Sequence, residues 1–430
     1  ASARAVCKID GVWTGADTTA ADLGGWTTDH DNYIYVYTTS TARHSGVWNT
    51  SAYHYVHDSS FSISESYSVV DGLQYAIGFN GVSVPGGADH VTVKNCIVKP
   101  AVSSAYGIRF DGTGATAGYV FNNIVYDCGR GIAQYYDTLG RTLYVYNNTV
   151  YNCYTSGIAA RGNRPVIAKN NIAQNCIEGY EGTFLAPSEY NISDLSGDAP
   201  GSNSKSDTSV SFNDAVNDDF RLARTDTEAK NQGTDLSADL TIAFSTDVKG
   251  ALRGADQGWD IGADEAPRQI FRSVGPGSTG ALETGTGNDL TISSFTATFS
   301  SGISDAVGVG DLIEYDTDGN NTNDAICFIS GRAGSRLFTV SSLTGSLPAQ
   351  CTSADQDWEI FRAYTSLPAA EAGTENTGPA LFGVTVTDLH AGSGGYDLVS
   401  DNLQWNIACY ADGEDSGNFD ISDWTTGAAH

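Results

Sequence analysis

Three short stretches of this chain are near copies of one another: FNNIVYDC (121–128), YNNTVYNC (146–153) and KNNIAQNC (169–176). Aligned on the second asparagine, they place Asn123, Asn148 and Asn171 at intervals of 25 and 23 residues, with Cys128, Cys153 and Cys176 following in step. An earlier copy, VKNCIV, sets Asn95 28 residues before Asn123. A second track runs beside the first: the Gly-Ile pairs of YGIRF (106–110), RGIAQ (130–134) and SGIAA (156–160) recur after 24 and 26 residues. A period of this length, filled with β-branched residues and without helical spacing, predicts a parallel β-helix. Leucine-rich repeats share the period but need a leucine framework that these stretches lack. Coils of three strands stack at about 4.8 Å, so like residue lies on like. Asn123, Asn148 and Asn171 then form a ladder at a turn that tolerates the left-handed conformation. Cys128, Cys153 and Cys176 form an inward column, read as buried thiols.

The chain has 430 residues, enough for two or three domains. Its 51 acidic against 22 basic residues give −29, a surface that repels nucleic acid and anionic lipid. No apolar run reaches 18 residues, so no membrane span is expected. The absence of Met reads as a mature or excised segment. Eight cysteines without a CxxC pair argue against a zinc ribbon and fit an oxidising compartment. Sequons at Asn49, Asn147, Asn191 and Asn320 permit glycosylation.

The stretches YIYVYTTSTARHSGVW…YSVVDGLQY (33–75) and DDFRLARTDTEAKNQGTDL…GALRGADQGWDIGADE (218–265) resemble the opening coils and closing segment of secreted right-handed parallel β-helix proteins of pectin-lyase-like architecture. The Asp260-Ile261-Gly262-Ala263-Asp264-Glu265 run matches the strand with which such proteins commonly end. The resemblance implies a right-handed β-helix over 1–266 and an extracellular or cell-surface location. It says little about activity, because one fold hosts many functions.

After Pro267 the texture changes to alternating strands, DLTISSFTATF, GDLIEYD, DAICFISG and RLFTVSSL, which predict a β-sandwich or barrel over 267–363. Cys327 and Cys351 both fall inside it, where they could pair. DTDGNNTND (316–324) joins two of these strands. Asp316, Asp318, Asn320 and Asp324 are spaced as in an oxygen-rich Ca²⁺ loop, with Gly319 at the turn; a solvated acidic hairpin has the same composition.

Residues 364–430 hold a short helical turn at TSLPAAEAG and a block that repeats the beginning of the chain. Cys7-Lys8-Ile9-Asp10-Gly11 aligns with Cys409-Tyr410-Ala411-Asp412-Gly413 at an offset of 402, and Trp26-Thr27-Thr28 with Trp424-Thr425-Thr426 at 398. With nothing before Ala1, the first coil is expected to begin uncapped, while the end of the chain looks like a cap. An open coil end is a row of unpaired backbone groups that recruits another chain. The leading expectation is therefore a structural subunit of an extracellular filament or surface array. Copies would assemble head-to-tail by strand addition through Cys7, Asp10, Trp26, Cys409, Asp412 and Trp424. One alternative is a glycan-binding adhesin repeat cut from a giant tandem-repeat surface protein; the tyrosines at 33, 35 and 37 share a strand face that suits sugars. The other is a polysaccharide lyase or hydrolase, with Arg109 and Asp111, Arg130 and Asp127, or Arg161 and Arg164 as its charged groups. No paired-Asp or lyase-type motif accompanies them, so no enzyme activity is expected. His44, His54 and His57 are read as structural rather than metal-binding.

Overall fold

The computed structural model describes residues 4–100, 104–111, 116–135, 142–161, 165–254 and 258–427. They fall into two compact units, Ala1–Gly254 with Gly258–Ala266, and Pro267–His430. The first is an all-β coil. One sheet stacks seven parallel strands in the order Ala5–Ile9, Ile34–Thr38, Ser68–Asp71, Val91–Lys94, Ala117–Phe121, Thr142–Tyr146 and Val166–Lys169. A second sheet runs from His54–His57 to Ile192–Ser193 and a third from Asp22–Leu23 to Tyr180–Gly182, again seven parallel strands each.

Stacking in register turns each inward position into a column. On the first sheet the column reads Cys7, Val36, Val70, Val93, Val120, Val145, Ala168. From Val36 onward all are buried. Cys128 and Cys153 stack inside the coil with their sulfurs 3.2 Å apart, and Cys176 packs in the same core. All three are free thiols, and burial pushes the Cys153 thiol well above its ordinary range.

The paired asparagines divide two jobs between them. Asn122, Asn147 and Asn170 adopt the left-handed conformation at φ 55°, 48° and 54°. Asn123, Asn148 and Asn171 form the ladder: each carboxamide oxygen accepts the main-chain amide of the residue one coil before, at 2.9 Å from Cys96 to Asn123, 2.9 Å from Asn123 to Asn148 and 3.0 Å from Asn148 to Asn171. Asn191 extends the ladder at 3.1 Å. The expected equivalence of Asn95 with Asn123 is off by one. Lys94 pairs with Phe121, so Asn95 is the counterpart of Asn122 and Cys96 holds the ladder position. Of the four sequons, Asn147 and Asn191 are fully buried in these stacks.

The Gly-Ile track is a column of close approach. A Cβ on Gly131 would lie 2.4 Å from the Val150 methyl and 2.5 Å from the Gly157 carbonyl oxygen. Gly107 and Gly157 are confined in the same way. The closing segment runs along the outside of the coil. Phe220, Val248 and Ala263 cover Ile97, Ile124 and Tyr126 on the second sheet, and Leu236, Ile242 and Trp259 cover Phe121 and Tyr146.

In the second unit eight strands form one largely antiparallel sheet around Leu290, Ile292, Phe299, Tyr315, Phe338 and Trp358. Cys327 and Cys351 are buried in this core as free thiols, not as the disulfide that their positions allowed. Residues 364–427 pack into the same unit. The Ser366 hydroxyl caps the Leu367–Glu371 helix, and Leu403–Cys409 pairs in parallel with Arg268–Val274. Arg272 and Asp388, both buried, join the segment to the Arg268–Val274 strand through two charge-assisted hydrogen bonds.

Candidate functional site

The inward column of the first sheet is interrupted at one place, its start. Cys7 stands over Val36 and is exposed. The Ala5–Ile9 strand, here the head strand, pairs on one edge only among the described residues. Beside it opens a cavity of about 840 Å³, walled by Cys7, Asp10, Trp26, Val36, Phe61 and Leu73 among others. The three head residues singled out in the sequence therefore border one apolar mouth. Asp10 follows the strand and organises the next turn. It accepts the Thr39 and Thr41 hydroxyls at 2.6 and 2.7 Å, the Gly11 amide at 2.9 Å, and an ion pair from Lys8 at 2.7 Å. The hydrogen bond from Lys8, then those from the threonines, hold its carboxyl well below the usual range. Trp26 is 60% exposed, its amide fixed on the Glu65 carboxylate at 2.9 Å.

The matching residues near the C-terminus have different surroundings. Cys409 ends the Leu403–Cys409 strand, here the tail strand, opposite Val274, and is exposed. Asp412 grips the buried Arg362 at 2.7 and 3.1 Å. The other side of that guanidinium binds both oxygens of Asp311 at 2.8 Å, and the Tyr410 ring lies 3.6 Å from it. Trp424 stacks on Trp405 at 4.5 Å and meets the His390 ring at a tilt of 54° and 4.8 Å. Asp412 and Trp424 thus fasten the tail to its own unit, whereas Cys409 and the outer edge of its strand are left over. Sequence reasoning missed these clasps because Arg362, Trp405 and His390 lie in no repeat.

The Asp316 loop connects the Leu312–Tyr315 and Ala325–Arg332 strands, as expected. Asp316, Asp318 and Asp324 bring carboxylate oxygens within 4.8 Å of one another, and Asp316 does the same with Asp355 and Asp357. The Asp316 carboxylate already accepts four amides, from Asp318 and Gly319 at 2.9 Å, Asn321 at 2.7 Å and Thr322 at 3.3 Å. Burial works to raise this carboxyl and the four donors outweigh it, so it lies below the usual range. Asp357 is raised, by desolvation and then by the Asp355 charge. Asn320 is exposed and donates its amide to Asp318 at 3.2 Å. The donor set is all oxygen, which suits a hard cation; Asp318, Asp355 and Asp357 carry fewer loop hydrogen bonds than Asp316.

The charged residues of the enzyme alternative stand on or beside the third sheet in a ladder of guanidinium and phenol groups. Arg109 lies 4.7 Å from the Tyr106 ring centre and 4.8 Å from that of Tyr135, and Arg161 lies 5.0 Å from Tyr135. Arg109 pairs with Asp111 at 2.7 Å, and Glu181 pairs with both Arg130 and Arg161 at 2.9 Å. Asp127 is not the partner of Arg130; it occupies a left-handed turn at φ 57° and accepts the Asn152 side-chain amide at 2.6 Å. Arg164 lies outside the described residues. His44 and His54 are buried and bonded to main chain.

No curated protein and no solved structure matches the chain. Residues 75–217 match the family model described as right handed beta helix region, so the coils from residue 75 onward are similar to that family.

Proposed function

We propose that the chain is a structural subunit of an extracellular filament or surface array, in which the C-terminal segment of one copy covers the coil mouth of the next. One observation carries this reading: an inward column buried from Val36 onward ends in an exposed cysteine, beside a strand edge that no strand covers among the described residues and an apolar mouth. Burying that mouth and satisfying that edge favours association by the same effects that hold the coil together. The contact is heterologous, so copies form rings or open filaments. In this reading the arginine ladder is an ion-paired wall of the coil, not a catalytic centre.

Lys8→Pro tests the reading. The Lys8 amide points away from the neighbouring strand, and proline is tolerated on such an edge while it blocks strand addition. Negative-stain microscopy of the parent is expected to show filaments or rings that the variant does not form, while circular dichroism shows the variant still folded. Assembly of the variant like the parent contradicts the reading. Calcium enters as a companion proposal for the Asp316 loop; it predicts that EDTA lowers the melting temperature of the parent more than that of an Asp318→Asn, Asp355→Asn variant.

A second reading, glycan binding, draws on a cleft of about 290 Å³ lined by His30, Tyr33, Tyr35, Tyr67, His90 and Lys94, in which the Tyr67 and His90 rings stack at 4.8 Å. A glycan array that responds to the parent and not to Tyr35→Ala supports it.

A further inference from the structure

The head and tail strands are open on edges that fit each other. In the head strand the Ala5 amide donates to the Tyr33 carbonyl at 3.0 Å, and the Ile9 carbonyl accepts the Thr39 amide at 2.9 Å. Parallel pairing uses alternate residues, so Ala5, Cys7 and Ile9 face the neighbouring strand while Val6 and Lys8 turn their N–H and C=O groups outward. The tail strand alternates in the opposite sense. Arg268 donates to the Asn402 carbonyl at 3.0 Å and Tyr410 to the Val274 carbonyl at 2.8 Å. Gln404, Asn406 and Ala408 are thereby engaged, and Trp405, Ile407 and Cys409 face outward. No strand occupies either outer edge among the described residues.

Resting on the head-to-tail reading, we infer that the tail strand of one copy adds in parallel to the head strand of the next, with Cys409 opposite Cys7 and Ile407 opposite Ala5. In this register the Cys409 amide donates to the Val6 carbonyl, and the Cys409 carbonyl accepts the Lys8 amide. A slip of one residue sets groups already engaged against each other and moves the side chains to the wrong face. The register is the one that the 402-residue offset between the two repeated blocks gives. Side chains agree with it. Cys409 shares a strand face with Leu403, Trp405 and Ile407, and Cys7 shares one with Ala5 and Ile9, the face that borders the mouth. The inward column then continues as Cys409, Cys7, Val36, Val70. Charge favours the same partner. Arg4 precedes the head strand and Lys8, paired with Asp10, lies in it, whereas residues 410–427 contain Glu414, Asp415, Asp420 and Asp423 besides the Asp412 that holds Arg362, and no Lys or Arg. The two facing cysteines are also the two exposed ones; the other six are buried.

Adjacent parallel strands lie about 4.8 Å apart, inside the Cα window of about 4.4–6.8 Å that a disulfide spans. The cysteines are therefore reporters of the register. The parent, brought to assembly conditions and treated with the thiol oxidant diamide, is expected to give a ladder of covalent multimers on non-reducing gels. Mass mapping should assign it to Cys7–Cys409 links. Cys7→Ser and Cys409→Ser are each expected to give no link alone, and a covalent dimer without higher multimers when mixed. Links between two Cys7 residues, or filaments that yield no Cys7–Cys409 link, overturn this register and leave head-to-tail assembly standing. Neither filaments nor links overturn both.

Discussion

Asn148 shows how much one side chain does in a stacked coil. It is fully buried; its oxygen accepts the Asn123 main-chain and side-chain amides at 2.9 and 3.0 Å, and its nitrogen donates to the Val120 and Tyr146 carbonyls. Asn148→Ala strands several buried partners and is expected to cost about 3 kcal/mol in chemical denaturation. His44 is the counterpart for pH. Its Nδ1 accepts the Gly46 amide at 3.2 Å, and its Nε2 meets the Asn95 carbonyl at 2.9 Å as a donor. The ring is therefore neutral, and a second proton would point at an N–H. Burial, then the Arg43 charge, push its pKa from 6.5 down to about 3. Because the folded value is the lower one, the unfolded chain binds the extra proton between these limits. Stability present above pH 6.5 is lost as pH falls toward 3, by up to about 1.4 kcal/mol per unit. Denaturation midpoints at pH 7, 6, 5 and 4 should fall less steeply for His44→Gln than for the parent.

At the scale of the element, the stacked coil was legible in the sequence because stacking copies residues: the asparagine ladder, the cysteine column and the glycine track all recur at one period. The misplaced Asn95 has a simple cause, since Cys96 replaces the ladder asparagine and leaves only the left-handed one to align. The closing segment carries no period. That it lies along the second sheet depends on Phe220 and Val248, and along the first on Trp259, each finding the faces of distant strands, and no local pattern announces such packing. The candidate site was legible at the head, where Cys7, Asp10 and Trp26 border one mouth, and half legible at the tail, where Asp412 and Trp424 serve their own unit. Gly131→Ala tests the glycine column. A methyl there meets Val150 and the Gly157 carbonyl, so overpacking should cost about 1–3 kcal/mol, whereas Gly87→Ala, in open space but at φ 93°, should cost only its backbone strain.

At the scale of the whole molecule, a charge of −29 sets copies against one another. Assembly through an apolar mouth and a strand edge must overcome that repulsion, so added salt, which shortens the screening length, should lower the concentration at which scattering detects assembly. A contact held mainly by ion pairs would respond in the opposite direction. The most direct test of head-to-tail capping is hydrogen exchange of a peptide spanning residues 5–9, followed by mass spectrometry in dilute and in concentrated protein. Capping predicts that the outward amides of Val6 and Lys8 exchange freely when dilute and become protected when concentrated. Equal exchange at both concentrations, in a sample that has assembled, would place the contact elsewhere and contradict the capping of the coil mouth.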